Sequence, residues 1–195
     1  AGDSPTADTR NFRHQMEMAC SPVCRLEVAR RMFLARFQGV DISEKSLSEL
    51  MGMEGRRVKE LYEQKARTYQ VGWTGRSFTP GKFELSSVTN QILTSCNAAL
   101  YGVVCSVIHA MGYSPHIGFV HTGSPLPFVY DIADLYKEDL SIDLAFSLTK
   151  SLAGRYDKYV VADQFRDRVI RMDLLHKIAI DIPVLLGEKR GRRCS

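Results

Sequence analysis

The chain has 195 residues, 45% of them apolar and 25% charged, which fits one domain, or one and a fragment, and excludes wholesale disorder. Its five cysteines are an odd, sparse set that excludes a disulfide scaffold; the one close pair, Cys20 and Cys24, is a CxxxC without a second pair to make a zinc site. The net charge of +4 is modest, and no basic and apolar leader opens the chain, so a cytoplasmic protein with reduced thiols is expected.

Residues 1–9 are small and polar and read as a linker or frayed terminus. Residues 11–20 are helical in pattern. Ser21-Pro22 then supplies an N-cap and a first-turn proline for a second helix. Its apolar stripe is Val23, Leu26, Phe33 and Phe37, its expected C-cap is Gly39, and Arg25, Arg30, Arg31 and Arg36 fall mostly off that stripe. A short helix is expected at 46–51, with Ser46 and Glu49 spaced as a capping box, and a longer one at about 54–70. Residues 71–87 are rich in Gly, Ser, Thr and Pro, hence loop, with room for a small hairpin.

The strongest periodicity lies at about 89–111, where Ile92, Cys96, Ala99, Leu100, Val103, Val107 and Ile108 keep helical spacing. Asn97, Ser106 and His109 interrupt it, so a central helix buried on most sides is expected rather than a membrane span. An ordered loop follows at 112–126, then helices at about 126–137, 141–152 and 157–181, and a basic tail at 188–195. No pair of alternating strands stands out, so the expected fold is all-α, one helical domain over 10–187 around that central helix.

Charge is unevenly placed. Residues 10–36 carry six Arg against Glu17 and Glu27, and 131–143 carry five acids against Lys137. Between Glu84 and Asp131, 46 residues carry no formal charge. Basic ends suit a polyanion and a carboxylate cluster suits a cation, although solvated surface charge would give the same counts.

Three places carry chemistry. Glu54, in MGMEGRRVKELY, sits at the expected start of a helix on the line of Val58 and Leu61; a carboxylate there would also simply favour the helix N-terminus. His121 lies in the loop GFVHTG, where a structural hydrogen bond is the plain alternative. Asp131 and Asp134, in FVYDIADLY, share a helical face with Phe128 and Leu135. Two adjacent carboxylates repel, and a divalent cation, a basic ligand group or a salt bridge would relieve them. Together Glu, His and Asp make a donor set that suits Mn²⁺, tolerates Mg²⁺ and can stabilise the charge of a phosphodiester displacement.

The stretches MGMEGRRVKELYEQKARTYQVGWTGRSF, TNQILTSCNAALYGV and GYSPHIGFVHTGSPLPFVYDIADLYKED resemble the CRISPR spacer-acquisition integrases (the Cas-one family), in their type I-E branch. The likeness runs from about residue 10 to about 180 and is dense from 50 to 139. It implies an α-helical catalytic domain; the family's N-terminal β domain has no counterpart here, so a C-terminal catalytic domain is expected. The family's metal-binding Glu stands between a hydrophobic residue and Gly, here Met53-Glu54-Gly55, and its His closes a GF-hydrophobic-H loop, here Gly118-Phe119-Val120-His121. Its Asp is the second acid of a DxxD helix, here Asp134, with Asp131 supporting. The resemblance therefore implies a catalytic metal site of Glu54, His121 and Asp134 for Mn²⁺ or Mg²⁺, with Tyr101, Tyr130 and Lys137 nearby.

The function so implied is joining of short DNA fragments into a CRISPR array, the fragment's 3′-hydroxyl attacking a phosphodiester. Arg10, Arg13, Arg25, Arg30, Arg31, Arg56 and Arg57 are the expected contacts to the phosphates of double-stranded DNA. A homodimer and a small second adaptation subunit (Cas-two) are the implied partners. Two other readings stay open: a metal-dependent nuclease without integration, and a non-catalytic DNA-binding or assembly module.

Overall fold

A computed structural model describes residues 9–37, 41–42, 45–77 and 80–188. Among these residues there is no strand, and the fold is all-α. The helices are α1 (Thr9–Cys20), α2 (Pro22–Arg36), α3 (Leu47–Tyr69), α4 (Val88–Ala110), α5 (Pro127–Ala133), α6 (Asp143–Ser151), α7 (Lys158–Arg171) and α8 (Leu174–Leu185). A 3-10 turn at Phe83–Leu85 and a π-helical turn at Glu138–Ile142 complete the element order. Of the terminal segments expected to lie outside the domain, only Thr9 and Glu188 are among the described residues, and Gly39, the expected C-cap, lies outside them.

Local chemistry explains most boundaries. Ser21 caps α2, its hydroxyl accepting from the Cys24 N–H at 3.3 Å, and Pro22 takes the first helical position. Ser46 and Glu49 form the anticipated capping box: the Ser46 N–H donates to the Glu49 carboxylate at 2.9 Å and the Glu49 N–H to the Ser46 hydroxyl at 3.4 Å. The two helices expected at 46–51 and 54–70 are one, because α3 runs unbroken through Gly52 and Gly55. Conversely the single helix expected at 157–181 is two. Asp173 adopts φ of +47° between α7 and α8, a left-handed position that a short polar side chain tolerates. The loop before α4 holds the 3-10 turn, and no hairpin occurs among its described residues.

In α4 one face is inaccessible: Ile92, Leu93, Cys96, Leu100, Val104 and Ile108 are exposed by 1% or less. Val103, expected in that set, is only half-buried and Val104 takes its place; Ala98, Ala99, Gly102, Ser106 and His109 are exposed. The helix is thus buried on one face rather than on most sides. By length and mean hydropathy α4 does qualify as a span of membrane thickness, against the sequence expectation, but its fully buried side chains account for that apolarity as core. Burial pushes the Cys96 thiol up to about 12, so it stays neutral.

The chain divides into two compact units, each described here by itself. The first holds Ala1–Leu50, Gly102–Leu135 and Leu174–Ser195. Its core contains Phe33, Phe119, Phe128 and Leu174, all essentially inaccessible. Gln15, fully buried on α1, ties that helix to the 112–126 loop: its amide donates to the Ser114 and Ile117 carbonyls and accepts from the Ser114 N–H, at 2.7 to 2.9 Å. Arg31 of α2 donates to the Leu185 carbonyl at the end of α8 and pairs with Glu27.

The second unit holds Met51–Tyr101 and Tyr136–Asp173. Trp73 packs between Tyr62 and Phe146, ring centroids 5.0 and 5.2 Å away. Asp143, first residue of α6, accepts from Lys65 at 2.6 Å, Tyr69 at 2.9 Å and Arg168 at 2.7 Å. Burial alone would raise this carboxyl, but the hydrogen bonds from Lys65, Arg168 and Tyr69 outweigh it and hold the group below its ordinary value.

Candidate metal centre

The site is built on the loop at 118–121, whose Phe119 and Val120 side chains are buried. Residues 118–121 run along the start of α5, and Gly118 is there for space: a Cβ would lie 2.6 Å from the Pro127 Cβ and 3.0 Å from an Asp131 oxygen. The loop is held by Asp131, whose side chain is wholly buried. One oxygen accepts from the N–H groups of Phe119 and Val120 at 2.6 and 3.2 Å. The other accepts from the His121 N–H at 2.9 Å and meets His121 Nδ1 at 2.7 Å. From the other side Arg25 of α2 donates its Nε–H to the Phe119 carbonyl at 3.2 Å.

This clamp fixes the imidazole's chemistry. A carboxylate only accepts, so the short contact places a proton on Nδ1, and in the neutral ring Nε2 is then the lone pair. Nε2 faces Asp134 Oδ2, 3.5 Å away. Asp134 ends α5 in helical conformation and is buried, its side chain only 7% exposed. Arg36, at the end of α2, reaches the same oxygen with Nη1 at 3.7 Å. Met32 and Phe33 of α2 form the apolar wall of the cleft these groups share, whose free volume of about 10 Å³ is that of one water molecule or one ion.

The donor chemistry suits a divalent cation. An imidazole lone pair and a carboxylate oxygen 3.5 Å apart match the separation of two ligands on one ion with bonds of roughly 2.1 Å. The Asp131–His121 contact is the carboxylate–imidazole arrangement that orients metal-bound histidines. The Asp131 oxygens are turned to Nδ1 and the loop amides. Among the described residues no three His, Cys, Asp or Glu side chains stand together as a ready metal set.

His121, Asp131 and Asp134 therefore come together, with the Tyr130 ring edge-on to the imidazole at 6.1 Å. Glu54 lies in the second unit, half-buried on α3. It is not at a helix start, as expected, but two turns in, beyond the reach of the helix N-terminus. Tyr101 and Lys137, also in the second unit, pair with each other, the ammonium 5.0 Å from the ring centroid. Of the arginines expected on DNA, Arg10, Arg13 and Arg56 are exposed. Arg25, Arg30 and Arg31 each donate to a backbone carbonyl of the protein, and Arg57 pairs with Glu138 at 3.0 Å. Arg36, which also reaches Asp134, is not among the residues expected at the site; in the sequence it is marked only as a basic residue beside an apolar stripe.

Residues 33–167 match the family described as CRISPR associated protein Cas1. The chain is 58% identical over 190 residues to the CRISPR-associated endonuclease Cas1 2 of Chlorobaculum tepidum, covering 97% of this chain and 64% of that protein. It is 39% identical over 160 residues to the CRISPR-associated endonuclease Cas1 of Escherichia coli K12, covering 82% of this chain and 52% of that one. The chain thus spans between half and two thirds of these relatives' length. Among solved structures, TtCas1 in complex with DNA superposes with a TM-score of 0.85 at 32% identity, covering 96% of this chain and 69% of that one. A CAS1 protein from Thermotoga maritima, at 18% identity and a TM-score of 0.74, shares the fold over 100% of this chain and 76% of that one. With matches of this extent on both sequence and fold, the chain belongs to the Cas1 family.

Proposed function

We propose that this chain is the catalytic domain of a divalent-metal-dependent DNA endonuclease and integrase that joins short DNA fragments into a CRISPR array. The observation that carries the reading is the Asp131–His121–Asp134 chain of contacts, which presents an imidazole lone pair and a buried carboxylate to one ion-sized space. The names of the relatives, CRISPR-associated endonucleases, and the DNA bound to TtCas1 support the reading from outside the site.

His121 and Asp134 would hold Mn²⁺ or Mg²⁺ together with Glu54. The ion supplies charge that offsets the developing negative charge of a phosphodiester displacement. Asp131, on the Nδ1 side, would orient the His121 ring so that Nε2 can serve as a ligand. Met32, Phe33 and Val120 give the cleft its apolar lining. The exposed Arg10, Arg13 and Arg56 would hold phosphates outside the cleft, in a homodimer assembled with the second adaptation subunit.

The test uses the full-length protein with that subunit. Asp134→Ala should abolish joining in Mn²⁺ while leaving DNA affinity across a salt series nearly unchanged, since affinity rests on many cationic contacts. Joining at the wild-type rate by Asp134→Ala would overturn the metal site and the reading with it. Fragments lacking a 3′-hydroxyl separate integration from simple cleavage: a nuclease would process them equally well.

A further inference from the structure

We propose that Gln15 is a positioning residue of the metal centre, holding from α1 the loop that carries His121. The inference rests on the reading above and gives a role to a residue outside the motifs. Gln15 is fully buried, and both ends of its side-chain amide are bonded to the loop. The oxygen accepts from the Ser114 N–H at 2.7 Å. The nitrogen donates to the Ser114 carbonyl at 2.9 Å and to the Ile117 carbonyl at 2.8 Å. Both amide hydrogens are thereby used, and a flipped amide would set its oxygen against two carbonyls, so a single orientation is allowed.

An irregular segment needs such partners because it cannot satisfy its own backbone. Side chains from three helices supply them. Gln15 of α1 serves Ser114 and Ile117, Arg25 of α2 serves the Phe119 carbonyl, and Asp131 of α5 serves the N–H groups of Phe119, Val120 and His121. The Gln15 and Asp131 anchors stand on either side of Gly118: the first holds the Ile117 carbonyl, and the second holds the Phe119 N–H at 2.6 Å. Gly118 would act as a swivel elsewhere, but here it lies against Pro127 without room for a Cβ. A displacement at Ile117 is therefore passed to the Asp131 contacts and the His121 ring instead of being absorbed between the anchors.

A merely structural role would be to fasten α1 to the fold, and another residue does that. Asn11, one turn before Gln15 on the same face of α1, donates to the Met111 carbonyl at 2.7 Å. Met111 directly follows α4 and precedes the segment that Gln15 and Asp131 hold. Asn11 and Gln15 thus fasten the same helix, but only Gln15 fastens it to the residues that lead into His121. Lost anchoring would show in variants of either residue; lost positioning would show in Gln15 variants alone.

The experiment compares full-length Gln15→Met, which nearly keeps the side-chain volume and loses the amide's bonds to Ser114 and Ile117, with Asn11→Ala. Each is measured at the same interval below its own melting temperature. Amide hydrogen exchange at Phe119, Val120 and His121 is read in metal-free protein, and Mn²⁺ affinity is read from the electron paramagnetic resonance of the free ion. In Gln15→Met, exchange at these amides should be about 10-fold faster, while amides of the second unit keep their rates. Mn²⁺ affinity should fall about 10-fold, the lower end of the range for groups that support a metal ligand. In Asn11→Ala both should stay within about 2-fold of wild type. Unchanged exchange or unchanged Mn²⁺ affinity in Gln15→Met would overturn the inference, and so would equal losses in Asn11→Ala. If Gln15→Met does not fold, Gln15→Asn, which keeps the amide but is one methylene shorter, is held to the same outcomes. Failure of the wild-type protein to bind Mn²⁺ would bring down the metal-centre reading, a result visible before any variant is made and separate from the metal-free exchange.

Discussion

Each unit contains an aspartate that gathers several donors, and the two use their oxygens differently. Asp131 accepts from three successive backbone N–H groups and one imidazole, all within four residues of loop. Asp143 accepts from Lys65, Tyr69 and Arg168, which come from α3 and α7. Backbone amides cannot move without moving the chain, so Asp131 sets the position of a loop and with it the His121 ring. Long side chains adjust by rotamer, so Asp143 binds helices to one another without fixing any atom finely. The same residue type serves placement in one unit and cohesion in the other.

The sharpest way to break this contrast is Asp131→Ala. Loss of the carboxylate frees the Nδ1 proton and leaves buried loop amides without acceptors, each costing about 1–3 kcal/mol. We expect a fall of about 100-fold in Mn²⁺ affinity or joining, the scale seen when the partner of a metal-bound histidine is removed, with a clear drop in melting temperature. Gly118→Ala leaves every polar group in place and acts by space alone. The added methyl must push Pro127 or the Asp131 carboxylate aside, so joining should fall by about 10-fold and stability by roughly 1–3 kcal/mol. If Gly118→Ala joined DNA like wild type, sub-ångström placement of the loop would not matter and the contrast would fail.

How far this was legible from sequence differs between the two acids. Asp131 and Asp134 stood out as two acids three apart on an apolar helix face, but the spacing left a cation, a basic group or a salt bridge open and only the family resemblance gave them roles; the capping box of Ser46 and Glu49 was legible because its two partners are local. Gln15 was not legible: its partners lie about 100 residues away in the 112–126 loop, and nothing on α1 announces them. The unbroken α3 defeated the rule that glycine ends helices, since Gly52 and Gly55 are exposed with nothing near them and cost only about 1 kcal/mol each. The break at Asp173 went the other way, set by a single residue's tolerance of positive φ. Val103 and Val104 differ by one position on a helix whose apolar face is wide, and only packing chooses between them. Arg36 and the Asp143 network depend on residues brought from distant helices, which residue spacing does not encode.

For Asp143 the expected effects are smaller and fall on stability. Asp143→Asn should cost about 2 kcal/mol, below the full value for a broken buried pair because its partners are partly solvated. Joining per folded molecule should stay within about 2-fold, since no site residue depends on it. The pH dependence follows from the direction of the shift. A carboxyl held below its ordinary value contributes stability above about pH 4, and that contribution is lost as pH falls through the folded-state value. The gap between wild type and Asp143→Asn in urea unfolding should therefore narrow from pH 6 to pH 3. A gap constant over that range would remove the ionised carboxylate from the account.

The finest test of the cohesive role is Tyr69→Phe, which removes one of the three donors on Asp143. One neutral hydrogen bond contributes about 1 kcal/mol, and the ring keeps its packing, so the loss should not exceed that. Burial first, and then the hydrogen bond to Asp143, push the Tyr69 hydroxyl above its ordinary value. Its stabilising effect is then complete below about pH 10, where folded and unfolded chains both hold the proton, and is lost as pH rises through the folded-state value. Urea midpoints of wild type and Tyr69→Phe should differ at pH 8, and the difference should shrink as pH rises above about 10. In the Asp143→Asn background the same substitution should cost less, because an amide accepts a phenol hydrogen bond more weakly than a carboxylate does. If Tyr69→Phe costs as much there as in wild type, the hydroxyl acts independently of the Asp143 charge, and Asp143 joins helices through its two cations.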